Sequence, residues 1–238
     1  MNTYDIFDEI VFMYSKKSQY KIEKQIDFFQ KNNIRVQFVF TEDDPGGWSV
    51  LDVVYEAYVN QSNSLLLFKD DFEETFVYSE ENLHNAVKYI QFNNDWDLLH
   101  LGYSLFSTNY EQISKNIIKY NPHKTGVVCF SRNAMKIILE NFEDYIGIVD
   151  FDDYVLNYIN FTNYCVSPML FDKCGSSNQM ISYIHHYFLS SNKKVFNKYI
   201  FLSIVSCIMY FIKLTIISKL SRKNTKIEYL LSQRLLCR

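Results

Sequence analysis

Leu65-Leu66-Leu67-Phe68-Lys69-Asp70-Asp71-Phe72 runs four apolar residues straight into a lysine and two adjacent carboxylates. Polar residues bracket the run, Asn63 and Ser64 before it and Glu73 and Glu74 after it. An apolar run this short, so bounded, reads as a strand buried on both faces, as in the middle of a parallel sheet. Ligands of open parallel sheets sit just beyond the carboxyl ends of such strands. Two acids at that point offer hard oxygen ligands to a divalent cation, and the cation can in turn hold a diphosphate. The plainer reading is an acidic strand end that faces water. The position after a wholly apolar strand favours the first.

Outward from this strand, the pattern alternates. Ile10–Tyr14 reads as a first strand, Gln19–Asn32 as a helix with Ile22, Ile26 and Phe29 at helical spacing, and Ile34–Phe40 as a second strand. Asp43-Asp44-Pro45-Gly46-Gly47 marks a loop, after which Ser49 is a candidate cap for a helix to about Val59. Downstream, a helix is expected from Ser79 to Asn93, a strand over Asp97–Gly102 ending at its glycine, and a strand over Gly126–Phe130. Ser131 is placed to cap a helix through Asn141, and Tyr154–Ile159 reads as a helix before a short strand, Tyr164–Val166. Strands alternating with helices through residue 170 predict an α/β domain with a mostly parallel sheet flanked by helices.

A second acidic cluster, Ile148-Val149-Asp150-Phe151-Asp152-Asp153, leads into the expected helix. Two converging acidic strand ends can supply a metal ligand and a general base. Acids at a helix start also gain from the helix dipole, a structural reading that suits Asp152 and Asp153 better than Asp150. Lys16 and Lys17 follow the first strand, where they are candidate phosphate or ribose contacts; exposed lysines are more often only solvated. His185 and His186 are adjacent and so point different ways, and one is a candidate metal ligand. There is no Ser-His-Asp arrangement, Walker loop or GxGxxG.

The chain has 238 residues, 48% of them hydrophobic, which suits one domain with an appended element. With 6 glycines and 3 prolines, low-complexity linkers are excluded. The five cysteines lack CxxC spacing, so buried free thiols are expected, although Cys165 and Cys174 lie close enough to meet across a loop. Asp5, Asp8 and Glu9 interrupt any signal-peptide core, so a cytosolic location is expected and the sequons at Asn60 and Asn160 are read as chance.

Residues 193–238 carry ten basic side chains and one acid; the net charge of −3 therefore leaves −12 on residues 1–192. This divides the chain into an expected domain, 1–192, and a basic tail, 193–238, suited to an anionic membrane surface or simply to water. Tyr199–Leu220 is almost wholly apolar, with Tyr199, Ser203, Ser206, Tyr210 and Lys213 at steps of three and four. A spanning anchor, an interfacial helix and a helix packed on the sheet all fit. Lys213 inside the run and the basic flanks favour the interfacial one.

Taken in order, several segments resemble glycosyltransferase family 25, the lipooligosaccharide and collagen-type sugar transferases. LLLFKDDF (Leu65–Phe72) is similar to that family's apolar strand ending in Glu-Asp-Asp. Asp95-Trp96-Asp97-Leu98-Leu99-His100-Leu101-Gly102 is similar to its Trp-Asp-aliphatic-aliphatic-x-Leu-Gly segment. Thr125–Ala134 is similar to its strand-to-helix unit, Ile148–Asp153 to its Pro-Val-Asp segment, Pro168-Met169-Leu170 to its Pro-Pro-Leu, and Ser176-Ser177-Asn178 to its closing Ser-Asp-Ile. The likeness covers roughly residues 8–180, and order and spacing weigh more than any one motif.

The resemblance implies a Rossmann-like GT-A fold, a nucleotide-sugar donor (a UDP-sugar) and Mn²⁺ or Mg²⁺. It implies Asp71 as metal ligand with Asp70 assisting, and Asp150 with Asp152 as acceptor-side or catalytic acids. Lys16, Lys17, Lys69, Asp70 and Gly102 become donor contacts. A glycan or lipid-linked acceptor is expected and nucleic acid is not. Three departures stand out. Lys69 takes the place of the first acid of the triplet, Lys16-Lys17 that of an Arg-Arg pair, and Gly46-Gly47-Trp48-Ser49 lacks the family's Cys and His. A catalytically inactive, membrane-tethered scaffold is the alternative these departures support, and a nucleotidyltransferase, which also uses paired acids, is a third.

Overall fold

The computed structural model describes residues 2–16, 22–41, 48–70, 72–75, 78–93, 95–103, 110–122, 125–141, 151, 155 and 159–173. Ten strands form one sheet: β1 (Glu9–Ser15), β2 (Gln37–Thr41), β3 (Ser64–Phe68), β4 (Phe72–Glu74), β5 (Leu98–Tyr103), β6 (Glu111–Ser114), β7 (Ile117–Lys119), β8 (Thr125–Ser131), β9 (Asn163–Val166) and β10 (Phe171–Lys173). Among the described residues the α-helices are α1 (Ile22–Lys31), α2 (Trp48–Val59), α3 (Glu80–Phe92) and α4 (Arg132–Asn141). The strand order is β2-β1-β3-β8-β5-β9-β7-β6, with β10 paired to β4 and β5. β4, β7 and β8 run against the other strands, so the sheet is mixed but mostly parallel in direction.

The Leu65–Phe68 run forms the strand that its composition predicts, and all four side chains are fully buried. Alternation splits them between two cores. Leu66 and Phe68 pack with Phe12, Leu99 and Val127 under α1 and α3. Leu65 and Leu67 pack with Val11, Leu98, Val128 and Phe130 under α2 and α4. The first core is dominated by rings: Phe28 lies within 5.4–6.4 Å, centroid to centroid, of Tyr4, Phe29, Phe68, Phe72, Tyr78 and Phe171.

Local signals set most element ends. Ser79 Oγ accepts from Asn82 N–H at the start of α3, and Ser131 Oγ accepts from Ala134 N–H at the start of α4. Asn33 (φ 50°) and Gln61 (φ 63°) take the left-handed conformation that closes α1 and α2. There Ile34 N–H donates to the Phe29 carbonyl, so the strand expected from Ile34 begins only at Gln37. Ser49 does not cap α2, because the helix already includes Trp48. Gly102 does not end its strand; β5 continues through Tyr103.

Cys129 and Cys165 are buried free thiols. Among the described residues no helix is long and apolar enough to cross a membrane. The basic tail and Tyr199–Leu220 lie outside the described residues, as do Cys174, His185, His186, Ser176-Ser177-Asn178 and most of the expected Tyr154–Ile159 helix.

Candidate active site

β1 and β3 are neighbouring parallel strands, with Phe12 opposite Phe68, so both deliver their carboxyl ends to one edge of the sheet. Ser15 and Lys16 leave β1 there; Lys69 and Asp70 leave β3. Ser15 Oγ donates to Asp70 Oδ2 at 2.8 Å, joining the two strand ends. Asp70 and Lys69 are half-buried and Lys16 is exposed. The edge thus places one carboxylate and the stems of two ammonium groups next to one another along the chain ends.

The turn that carries Asp70 is held from three sides. Lys69 N–H donates to the Gly126 carbonyl of β8 at 3.0 Å, and Phe72 N–H donates back to the Lys69 carbonyl. From α1, buried Gln25 Nε2 donates to the Phe72 carbonyl at 3.1 Å. Gln25 Oε1 is buried with no hydrogen-bond partner among the described residues. A buried amide beside the acidic turn is not detectable from composition. Ser15 was missed as well, because the expected strand stopped at Tyr14 and a lone serine after it carries no signal.

The Asp70 carboxylate has a chemistry suited to a hard cation. Ser15 engages Oδ2, and Oδ1 has no partner among the described residues, so it remains available as an oxygen donor. Among the described residues no three His, Cys, Asp or Glu side chains are grouped to hold a metal. Asp71, Lys17, Asp150, Asp152 and Asp153 lie outside the described residues, as do Gly46 and Gly47.

Other motif residues have structural roles. Asp97 clamps three segments: its carboxylate accepts from Asn133 Nδ2 and Thr162 N–H, both at 2.9 Å, and its carbonyl accepts from Ser131 N–H. Gly102 lies against β10, where an added Cβ would stand 3.0 Å from the Phe171 carbonyl oxygen. Close backbone approach therefore requires glycine at 102 whether or not a donor is bound.

His100 is fully buried on β5, and its Nε2 pairs with Asn163 Oδ1 at 2.9 Å. Burial pushes its pKa down to about 4, against the Asn163 hydrogen bond, with the Lys69 ammonium adding to the depression. The imidazole is consequently neutral at physiological pH, and the field of Lys69 reaches from the site into the sheet.

The sequence matches no protein-family model and no curated protein. Its fold is similar to several solved structures. A197 from STIV is 15% identical, with a TM-score of 0.45 over 66% of this chain and 81% of that one. A glycosyltransferase involved in the glycosylation of the major capsid of PBCV-1 is 12% identical, with a TM-score of 0.43 over 76% of this chain and 99% of that one. A UDP-glucose pyrophosphorylase, complexed with UDP-glucose, is 9% identical, with a TM-score of 0.41 over 77% and 82%. At these identities the likeness is one of fold.

Proposed function

We propose that the chain is a metal-assisted glycosyltransferase that moves a hexose, galactose or glucose, from a nucleoside-diphosphate sugar to a glycan or lipid-linked acceptor. The observation that carries this reading is the Ser15–Asp70 hydrogen bond across the carboxyl ends of two adjacent parallel strands, flanked by Lys16 and Lys69. Parallel sheets bind ligands at that edge, and a half-buried carboxylate between ammonium groups suits a cation-bridged diphosphate.

In this reading Lys16 and Lys69 attract the donor phosphates, and Lys17 and Gly102 are assigned as further donor contacts. Asp70 and Asp71 are the residues that would hold the metal, and Ser15 fixes the angle of the Asp70 carboxylate. A Mn²⁺ or Mg²⁺ ion held there would supply Lewis-acid stabilisation of a departing nucleoside diphosphate. Asp150 takes the proton of the acceptor hydroxyl, with Asp152 beside it. The basic tail, 193–238, holds the enzyme at an anionic membrane on the cytosolic side.

Lys69 favours a second reading. An ammonium at the head of the acidic pair opposes cation binding by like-charge repulsion, as in an inactive, membrane-tethered relative that keeps the fold. Thermal unfolding with UDP-glucose or UDP-galactose and Mn²⁺ separates the two. A ligand of the native state raises the unfolding temperature, and an inert scaffold shows no shift with either donor.

A further inference from the structure

A groove of about 420 Å³ lies toward the end of the strand order away from β1, between α3 and the turn joining β6 to β7. That volume falls within the roughly 300–1,000 Å³ of small-ligand sites. Its lining combines the amides of Asn85 and Asn116, the rings of Tyr89 and Phe92, and the ammonium groups of Lys88 and Lys115. None of these belongs to the β1–β3 edge.

The groove is built rather than incidental. Asn116 is 3% exposed, and its Nδ2 donates to Asn82 Oδ1 at 2.9 Å and to the Ser167 carbonyl at 3.3 Å. Asn85 Nδ2 reaches Asn116 Oδ1 at 3.5 Å, so the two amides are coupled across the floor. Tyr89 is fixed edge-on against Tyr164, ring centroids 5.8 Å apart. Phe92, in contrast, is 78% exposed at the end of α3, a large apolar ring left in water. Lys88 and Lys115 make no ion pair among the described residues.

Exposed Asn85, held in place by the buried Asn116, offers an amide that both donates and accepts and so matches vicinal hydroxyls. An exposed ring offers a flat face to the C–H side of a pyranose, and ammonium groups with no ion pair among the described residues suit an anion. We propose that this groove binds an oligosaccharide bearing carboxylate or phosphate groups. The −12 charge of residues 1–192 argues against a nucleic acid strand, the other ligand that rings and lysines suit. Under the glycosyltransferase reading the ligand is the acceptor chain or its product, but the groove and its occupant stand without that reading.

The test is calorimetric titration of the full chain, without donor or metal, against tetragalacturonate, maltotetraose and an oligothymidylate. The acidic tetrasaccharide is expected to bind in the millimolar range or tighter, and better than the neutral one. Phe92→Ala weakens both saccharides by roughly tenfold, whereas Lys88→Ala and Lys115→Ala weaken only the acidic one by a similar factor. All three side chains are exposed, and unchanged thermal unfolding confirms that each variant is folded. No binding of either saccharide, unchanged binding by Phe92→Ala, or preferential binding of the oligothymidylate overturns the proposal. Because no donor is present, such a failure leaves the nucleotide-sugar reading untouched, and failure of that reading leaves this one standing.

Discussion

Ser15 Oγ and Asp70 Oδ2 stand 2.8 Å apart, although 55 residues separate them in the chain. The contact exists because β1 and β3 are parallel neighbours in register, so one strand end is paired with the next. A hydroxyl donating to a carboxylate fixes which oxygen remains available for a ligand. Ser15→Ala therefore raises the donor KM severalfold with a smaller change in kcat, and it lowers stability by only about 1 kcal/mol. Steady-state kinetics with varied UDP-sugar, beside urea unfolding, checks both. An unchanged KM removes Ser15 from the site.

His100 makes stability depend on pH. Its folded-state pKa, about 4, lies below the ordinary value of 6.5, so the unfolded chain binds the proton more readily. Stability therefore rises with pH through the window from 4 to 6.5 and is lost as pH falls through it. The part due to this residue is about 3 kcal/mol between neutral pH and pH 4. His100→Gln, which retains an amide toward Asn163, is expected to flatten that part of the acid limb in urea titrations from pH 7.5 to 4. An acid limb as steep as that of the parent would show that other groups dominate.

Gly102→Ala tests the β5–β10 contact. The new methyl would lie 3.0 Å from the Phe171 carbonyl oxygen and 3.1 Å from Phe171 Cβ, where backbone has little room to yield. The expected loss is about 1–3 kcal/mol in denaturant unfolding. A neutral result would mean that β10 can move away from β5.

Phe28→Ala removes the ring shared by Phe68 and Phe72, which flank the Lys69–Asp70 turn. A loss of about 3–5 kcal/mol is expected for so large a buried truncation, and Phe28→Leu should lose much less. Thermal and urea unfolding of the two variants measures the difference. Equal losses would show that the ring contacts themselves, rather than apolar volume, hold the core at this point.

What the sequence made legible follows from where the information is local. Leu65–Phe68 carries its own burial, and Ser79 and Ser131 carry their own caps, so β3, α3 and α4 were readable with their positions. β4 and β10 were not. Each has three residues, and Phe171-Asp172-Lys173 is a strand because Glu74, Glu73 and Phe72 lie opposite it on one side and Gly102 on the other. β6 shows no apolar alternation, being mostly polar and exposed, and depends on β7 for its existence. At the site, Lys16, Lys69 and Asp70 were marked by position after apolar strands. Gln25 was not, since a glutamine on a helix gives no sign of reaching a carbonyl 47 residues away. Gly102 and Asp97, which read as motif residues, prove to have packing and clamping roles that motif spacing alone does not reveal.

The most direct test of the central claim is release of UDP from UDP-glucose or UDP-galactose with Mn²⁺, measured for the full chain and for Asp71→Asn and Asp70→Asn. The parent is expected to release UDP, Asp71→Asn none, and Asp70→Asn less with a raised metal requirement, all three proteins sharing one far-UV spectrum. Release of pyrophosphate in place of UDP, or turnover unchanged in Asp71→Asn, would contradict it.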